Sequence, residues 1–290
     1  MNFSRYYRGA FDPNIILYYY NDLLTEIDIE KNQLRYMNPL SKKILFVATD
    51  RLRIKIIAGC ENKNIGMGCS FCNLPISNRE FSIGEIIDAL EEFKKLNLSI
   101  RHVLIGGGSS LSSVSWNKII EISKYLKKDT YYCDMPISIM TMLPPIDILT
   151  QLKDAGIEEV AFNMEISDEV LAKELMPAKY AMGKELYYYT FKEAVKVFGV
   201  GNVRSALLVG IDKTENLYNE IFTLTDIGVV PCLSAFRSLP NTDFEEYIGP
   251  TNSYLLEVYE TANLELYKRH GQIHKLGPNC NLCKNNMLAI

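Results

Sequence analysis

The chain has 290 residues, 48% of them hydrophobic, and a formal net charge of −4. That length builds one large core or two small ones, and the weak acidity argues against a general nucleic-acid binder, leaving small molecules or another protein as partners. No apolar run reaches spanning length and no apolar h-region follows Met1-Asn2-Phe3-Ser4-Arg5, so a cytoplasmic protein with no membrane partner is expected.

Residues 1–42, with Tyr18-Tyr19-Tyr20 followed by charged and polar positions, predict a helix and connector packed outside the main body. Two apolar, β-branched runs at 44–49 and 52–58 flank Asp50-Arg51 and predict either a strand pair or one interrupted strand. The second run feeds directly into Cys60. Three cysteines, Cys60, Cys69 and Cys72, then fall within thirteen residues, with eight and two residues between them. The Cys-x2-Cys pair places two sulfurs on one metal or on adjacent corners of a cubane, and the third arrives from upstream. Asn62, Asn64, Gly66 and Gly68 suit a chain that folds back tightly, because both residue types tolerate positive φ. Three thiolates leave a [4Fe–4S] cluster with one open iron; a zinc site, which usually closes with four protein ligands, and three unrelated buried thiols are the alternatives.

Beyond the loop the pattern alternates. Ser82 caps a helix with Glu85 three residues on, and Ile83, Ile86, Ile87, Leu90 and Phe93 share a face. A strand at 102–105 ends at Gly106-Gly107-Gly108. A helix at 115–127 turns Ile119, Ile120 and Ile122 inward, and a strand lies within 131–142. A helix at 145–155 stops at Gly156, and a strand follows at 159–164. A helical region at 168–198 is broken near Pro177 and Gly183. A strand at 203–209, a helix at 216–227, a strand at 229–235 and a helix at 252–270 complete the series. About six βα units build a parallel sheet by right-handed crossovers, with the ligand at the carboxyl ends of the strands. The expected fold is α/β: a partial (β/α)6 TIM-type barrel over 43–250, an N-terminal helical extension over 1–42, and a C-terminal helix and cysteine-containing tail over 251–290.

The cysteine loop after the first strand, Phe71 before its last sulfur, and Gly106-Gly107-Gly108-Ser109 one strand later resemble the radical S-adenosylmethionine (SAM) superfamily. The resemblance covers about residues 52–239. The eight-residue first spacing departs from the commonest signature, which has three, and a neutral Ser109 replaces the acidic end of the glycine motif. The resemblance implies that Cys60, Cys69 and Cys72 hold a [4Fe–4S] cluster whose fourth iron is chelated by SAM. Phe71 would lie near the adenine, and the backbone of 106–109 would receive the SAM amino group. It further implies SAM contacts from Asn163 and Glu165, whose structural alternative is a polar loop before a helix capped by Asp168. Gly210, within Leu207-Leu208-Val209-Gly210-Ile211-Asp212, and Val230 with Pro231 would approach adenine through their backbones. Arg237 is placed as an anchor for a substrate carboxylate, with a surface ion pair as its alternative, and Arg204 is read as structural. No side chain is singled out as catalytic. The implied chemistry is reductive cleavage of SAM to methionine and a 5′-deoxyadenosyl radical that takes hydrogen from substrate, with electrons from a donor such as flavodoxin or ferredoxin.

Four cysteines remain. Cys280 and Cys283 form a second Cys-x2-Cys, and Cys133 and Cys232, placed on the third and sixth strands, are candidate partners for a second iron–sulfur cluster. The alternative makes Cys133 and Cys232 small buried hydrophobes, and His270 and His274 are lower-ranked ligands. A second cluster resembles the biotin synthase and lipoyl synthase branch. That likeness implies sulfur insertion into a small or acyl-type substrate, including one carried on a protein. Radical rearrangement or methylation of a small metabolite is the alternative inside the superfamily. A non-catalytic iron–sulfur or zinc protein is the alternative outside it.

Overall fold

The computed structural model of the chain describes residues 37–48, 51–77, 79–98, 100–109, 114–236 and 238–271. Arg237, His274, Cys280 and Cys283 lie outside them, as do residues 1–36 of the expected N-terminal extension. The strands are β1 (Leu45–Ala48), β2 (Arg51–Lys55), β3 (His102–Gly106), β4 (Ile137–Thr141), β5 (Ile157–Phe162), β6 (Val203–Val209) and β7 (Val230–Ala235), and they form one sheet in chain order. β1 pairs antiparallel to β2, so the two apolar runs around Asp50-Arg51 form a pair. Every later pairing is parallel, giving six parallel strands joined by helical crossovers. Nothing in the strand order joins β7 back to β1, so the barrel is partial, as expected from the βα count.

The helices that cover the sheet follow their apolar spacing. In α3 (Ile83–Lys94), Ile86, Ala89, Leu90 and Phe93 are buried at helical intervals, after the short helices α1 (Ser41–Ile44) and α2 (Glu61–Asn64). Its start is fixed by a reciprocal capping box: Ser82 Oγ accepts the Glu85 N–H, and the Glu85 carboxylate accepts the Ser82 N–H at 2.8 Å. α4 (Val114–Lys128) and α5 (Ile146–Asp154) follow. The broken region then resolves into α6 (Glu169–Leu175), α7 (Pro177–Tyr180) and α8 (Lys184–Phe198). Pro177 opens α7 because it cannot continue α6, and Gly183 takes φ +77° before α8. Last come α9 (Thr214–Asp226) and α10 (Asn252–His270), and Leu255, Val258, Tyr259 and Ala262 of α10 join the main core.

The strand expected within 131–142 forms, but Cys133 is not on it. Asp129 captures the following residues in a turn, its Oδ1 accepting the Tyr131 N–H at 2.8 Å and its carbonyl accepting the Cys133 N–H at 2.9 Å. Pro136 delays pairing further, so β4 begins only at Ile137. Cys133 therefore sits in a turn before β4, at the amino end of the strands, and not on a strand.

Strand alternation sorts the parallel sheet into two faces. Outward residues such as Leu52, Ile54, Val103, Ile105 and Phe162 are buried under the helices, with Phe162 stacked on Phe191 of α8 at 6.4 Å. Residues one position out of step face the concave interior. There Arg204 Nε donates to Glu159 Oε2 at 2.6 Å, both side chains at most 2% exposed, which gives Arg204 the structural role expected of it.

Candidate metal centre

The cysteine loop is built where two backbones cross without room for a side chain. A Cβ on Gly108 would lie 1.9 Å from the Gly59 carbonyl oxygen and 2.7 Å from Cys60 Cα, and one on Gly59 would lie 2.4 Å from the Pro75 oxygen. Glycine at these positions lets the segment after β3 lie against the entry to the loop. The Glu61 N–H donates to the Ser109 carbonyl at 3.0 Å, and the Cys60 N–H to the Pro75 carbonyl at 3.2 Å. Inside the loop Gly66 adopts φ +71°, and Lys63 Nζ donates to the Cys72 carbonyl. A turn from the Cys72 N–H to the Cys69 carbonyl, 3.1 Å, sets the Cys-x2-Cys pair.

A small apolar cluster of its own anchors this loop. Cys69 and Phe71 pack against Ile166, Leu175, Met176, Leu208 and Phe236, with the Phe71 and Phe236 rings edge to face at 6.1 Å. The Ser70 N–H donates to the Leu175 carbonyl at 2.9 Å, tying the loop to the end of α6.

Cys60, Cys69, Phe71 and Cys72 line one cavity with Gly107, Gly108, Ser109, Asn163 and Glu165. Three thiols from the loop after β2 thus meet the segment after β3 and the polar residues after β5, all at the carboxyl ends of the strands. Leu74, Met140, Thr141, Met142 and Lys179 complete the lining. Sequence reasoning missed them. For Lys179 the only local signal was the helix break at Pro177, which sets the short α7 across the cavity. The donor set is of the kind a cluster takes. Among the described residues no group of three or more His, Cys, Asp or Glu is arranged to hold a metal ion.

Glu165 is the conformational outlier here. It is a non-glycine residue at φ +68°, pinned by its N–H donating to the Ala206 carbonyl and its carbonyl accepting the Leu208 N–H, each at 2.8 Å. Its carboxylate accepts Lys179 Nζ at 2.8 Å, and the same ammonium reaches the Asn163 carbonyl at 3.0 Å. Asn163 Oδ1 in turn accepts the Ala206 N–H at 3.1 Å. Burial works against the Lys179 charge, but the Glu165 carboxylate outweighs it and holds its pKa above the ordinary lysine value. The Cys69 thiol is pushed up to about 11, chiefly by burial, with Lys179 opposing. A lone thiolate is thus disfavoured there, and an electrophilic metal is the kind of partner that displaces the proton.

The other expected positions lie elsewhere. Gly210 adopts φ +105° beneath Pro250, whose ring a Cβ would meet at 2.8 Å, and its carbonyl accepts the Tyr247 hydroxyl. Val230 opens β7 beside Arg204, and Cys232 lies two residues on, its sulfur 4.0 Å from Arg204 Nη1. His270, at the end of α10, meets the Thr225 carbonyl at 2.5 Å. Cys133 and Cys232 are on different elements and neither lines the thiol cavity.

No protein-family model matches the sequence. Among curated proteins, the bacteriochlorophyllide c C-7(1)-hydroxylase of Chlorobaculum limnaeum is 20% identical over 260 residues, covering 80% of this chain and 63% of its own length. The chain therefore spans less than two thirds of that relative. Among solved structures, HydG, a maturase of the [FeFe]-hydrogenase, superposes with a TM-score of 0.60 at 12% identity, over 85% of this chain and 62% of its own. Coproporphyrinogen III oxidase (HemN) of Escherichia coli, described as a radical SAM enzyme, superposes with a TM-score of 0.52 at 16% identity, over 70% of this chain and 50% of its own. The chain has the architecture of these structures. At these identities the likeness is one of architecture, and a [4Fe–4S] cluster and SAM are the cofactors typical of the radical SAM superfamily. Among the described residues no helix is long and apolar enough to cross a membrane.

Proposed function

We propose that the chain is a radical SAM enzyme. The observation that carries this reading is the single cavity at which Cys60, Cys69 and Cys72 meet Gly107, Gly108, Ser109, Asn163 and Glu165. In it, Cys60, Cys69 and Cys72 would hold a [4Fe–4S] cluster, and the same cavity would receive SAM. When bound, these groups would supply one-electron reduction of SAM and hydrogen abstraction from substrate. The chain's own residues bind, orient and exclude. Gly107 and Gly108 let backbone approach the cofactor closely, Phe71 offers an apolar wall, and the Glu165–Lys179 pair supplies fixed charge at the cavity edge. A flavodoxin- or ferredoxin-type donor delivers the electron.

Sulfur insertion into a small or acyl-type substrate is the finer version, and it needs a second cluster. Its ligands would be Cys280 and Cys283, since the separation of Cys133 from Cys232 favours their reading as isolated thiols. Hydroxylation, the activity in the curated relative's name, and radical rearrangement or methylation of a small metabolite are the other readings.

Anaerobic reconstitution followed by SAM and dithionite tests the reading. Iron near four atoms per chain and release of 5′-deoxyadenosine support it. No 5′-deoxyadenosine from the reconstituted chain would overturn it. Iron beyond four per chain that falls in a Cys280→Ala/Cys283→Ala variant supports the second cluster.

A further inference from the structure

The inward face of β2 is cationic. On β2 the inward positions are Arg51, Arg53 and Lys55, in parallel register with His102, Leu104 and Gly106 of β3. Consecutive inward residues of a strand stand about 7 Å apart along it, so Arg53 and Lys55 present their charges to the same space. Lys55 pairs in register with Gly106, the residue that opens the glycine segment lining the thiol cavity. Both cations therefore sit on the wall just beneath the candidate cofactor site.

The acids that face this interior are already engaged. Glu159 is held by Arg204 at 2.6 Å and Glu165 by Lys179 at 2.8 Å. Arg53 Nε is fully buried with no hydrogen-bond partner. Burial, then the neighbouring Arg51, depresses the Arg53 pKa, with Cys72 opposing, and burial, then Arg53, depresses that of Lys55. A buried guanidinium nitrogen with no acceptor is costly to the fold, and such costs are tolerated where a ligand supplies the missing partner.

We infer that Arg53 and Lys55 form an oxyanion-binding subsite in the barrel, and that the substrate of the proposed radical reaction carries a carboxylate or phosphate seated there. The planar guanidinium fork receives two oxygens and the Lys55 ammonium acts as a point charge, so together they fix one end of the substrate. An anionic end held on β2 beneath the thiol cavity leaves the rest of the molecule to reach up toward the cofactor. Substrates of this class are small acids or phosphate esters, and an uncharged hydrocarbon end at this wall is disfavoured. The substrate assignment rests on the radical SAM reading; the anion subsite itself does not.

The test uses the full, anaerobically reconstituted chain and two probes, inorganic phosphate and acetate, each compared with chloride at equal ionic strength. At tens of millimolar, at least one probe should raise the thermal midpoint by about 2 °C or more over chloride. Arg53→Met should abolish that response without lowering the midpoint in chloride, because it removes a buried donor that has no acceptor. Arg79→Gln, on the surface ion pair with Glu85, should retain the response. A structural role for Arg53 predicts the opposite, a lowered midpoint in the variant, and that result overturns the proposal. So does an anion response that persists in Arg53→Met. The response should also survive saturating SAM; its loss there would assign the cations to the SAM carboxylate and overturn the substrate assignment. Failure of 5′-deoxyadenosine formation would strike the enzymatic reading and leave the anion result standing separately.

Discussion

Leu52 and Ile54 turn outward from β2 into the helices, whereas Arg53 and Lys55, one position out of step on the same strand, turn into the barrel. The outward face continues through Val103, Ile105 and Phe162 as a dry, close-packed layer. The inward face runs through Arg53, Glu159, Asn163 and Arg204, and its polar atoms are fixed by named partners or, at Arg53 Nε, by none. The contrast teaches that in this partial barrel the apolar core lies between sheet and helices, while the enclosed interior is a site. An alternating strand usually announces a face turned to solvent; here the polar side faces an enclosed space where charge is costly and therefore informative.

The two faces should respond differently to mutation. The largest effect belongs to the site: Cys69→Ala should abolish 5′-deoxyadenosine formation and lower bound iron, measured on the reconstituted chain, while leaving the circular dichroism spectrum unchanged. An unchanged yield would separate the thiol cavity from the chemistry. On the outward face, Phe162→Ala removes a fully buried ring stacked on Phe191 and should cost about 3–5 kcal/mol in denaturant unfolding. Inside, Glu159→Gln leaves Arg204 without its counter-charge and should cost a similar amount, about 3 kcal/mol. Replacing both partners, Glu159→Leu with Arg204→Met, should recover most of that loss. If the double variant is as unstable as the single one, the interior is packed like the outward face and the contrast fails.

The smallest effect tests an element remote from both faces. Ser82→Ala should cost about 1 kcal/mol by opening the α3 capping box. The Glu85 carboxylate of that box is held below its ordinary value, chiefly by the Ser82 N–H. Its contribution is present above the unfolded carboxylate pKa and lost as pH falls through the folded one. The stability gap between wild type and Glu85→Gln should therefore close in acid, as followed by thermal melts across pH 3 to 6 (about the carboxylate range).

Much of the architecture was legible along the chain because it follows local rules. The strand at Val203–Val209 and the helix at Asn252–His270 appear at their expected bounds, and Ser82 with Glu85 marks the start of α3. The strand expected within 131–142 forms, but Cys133 falls before it because Asp129 captures the amides of Tyr131 and Cys133 in a turn, a competition that β-propensity does not register. Lys179 escaped notice because nothing in Pro177-Ala178-Lys179-Tyr180 marks it. Its place beside Glu165 arises from the packing of α7 across strands distant in sequence.

By itself the sequence determined the order of the βα units, the three-cysteine loop after a strand, and the glycine segment one strand later. These depend on apolar period, capping and backbone permissiveness, which neighbouring residues decide. Only the tertiary structure decided that Gly108 must be glycine because the Gly59 carbonyl crosses it, that Glu165 is held in a left-handed conformation, and that β2 turns Arg53 and Lys55 into an enclosed space. Those facts depend on which residues of distant strands become neighbours when the sheet curves, and no local pattern encodes that proximity.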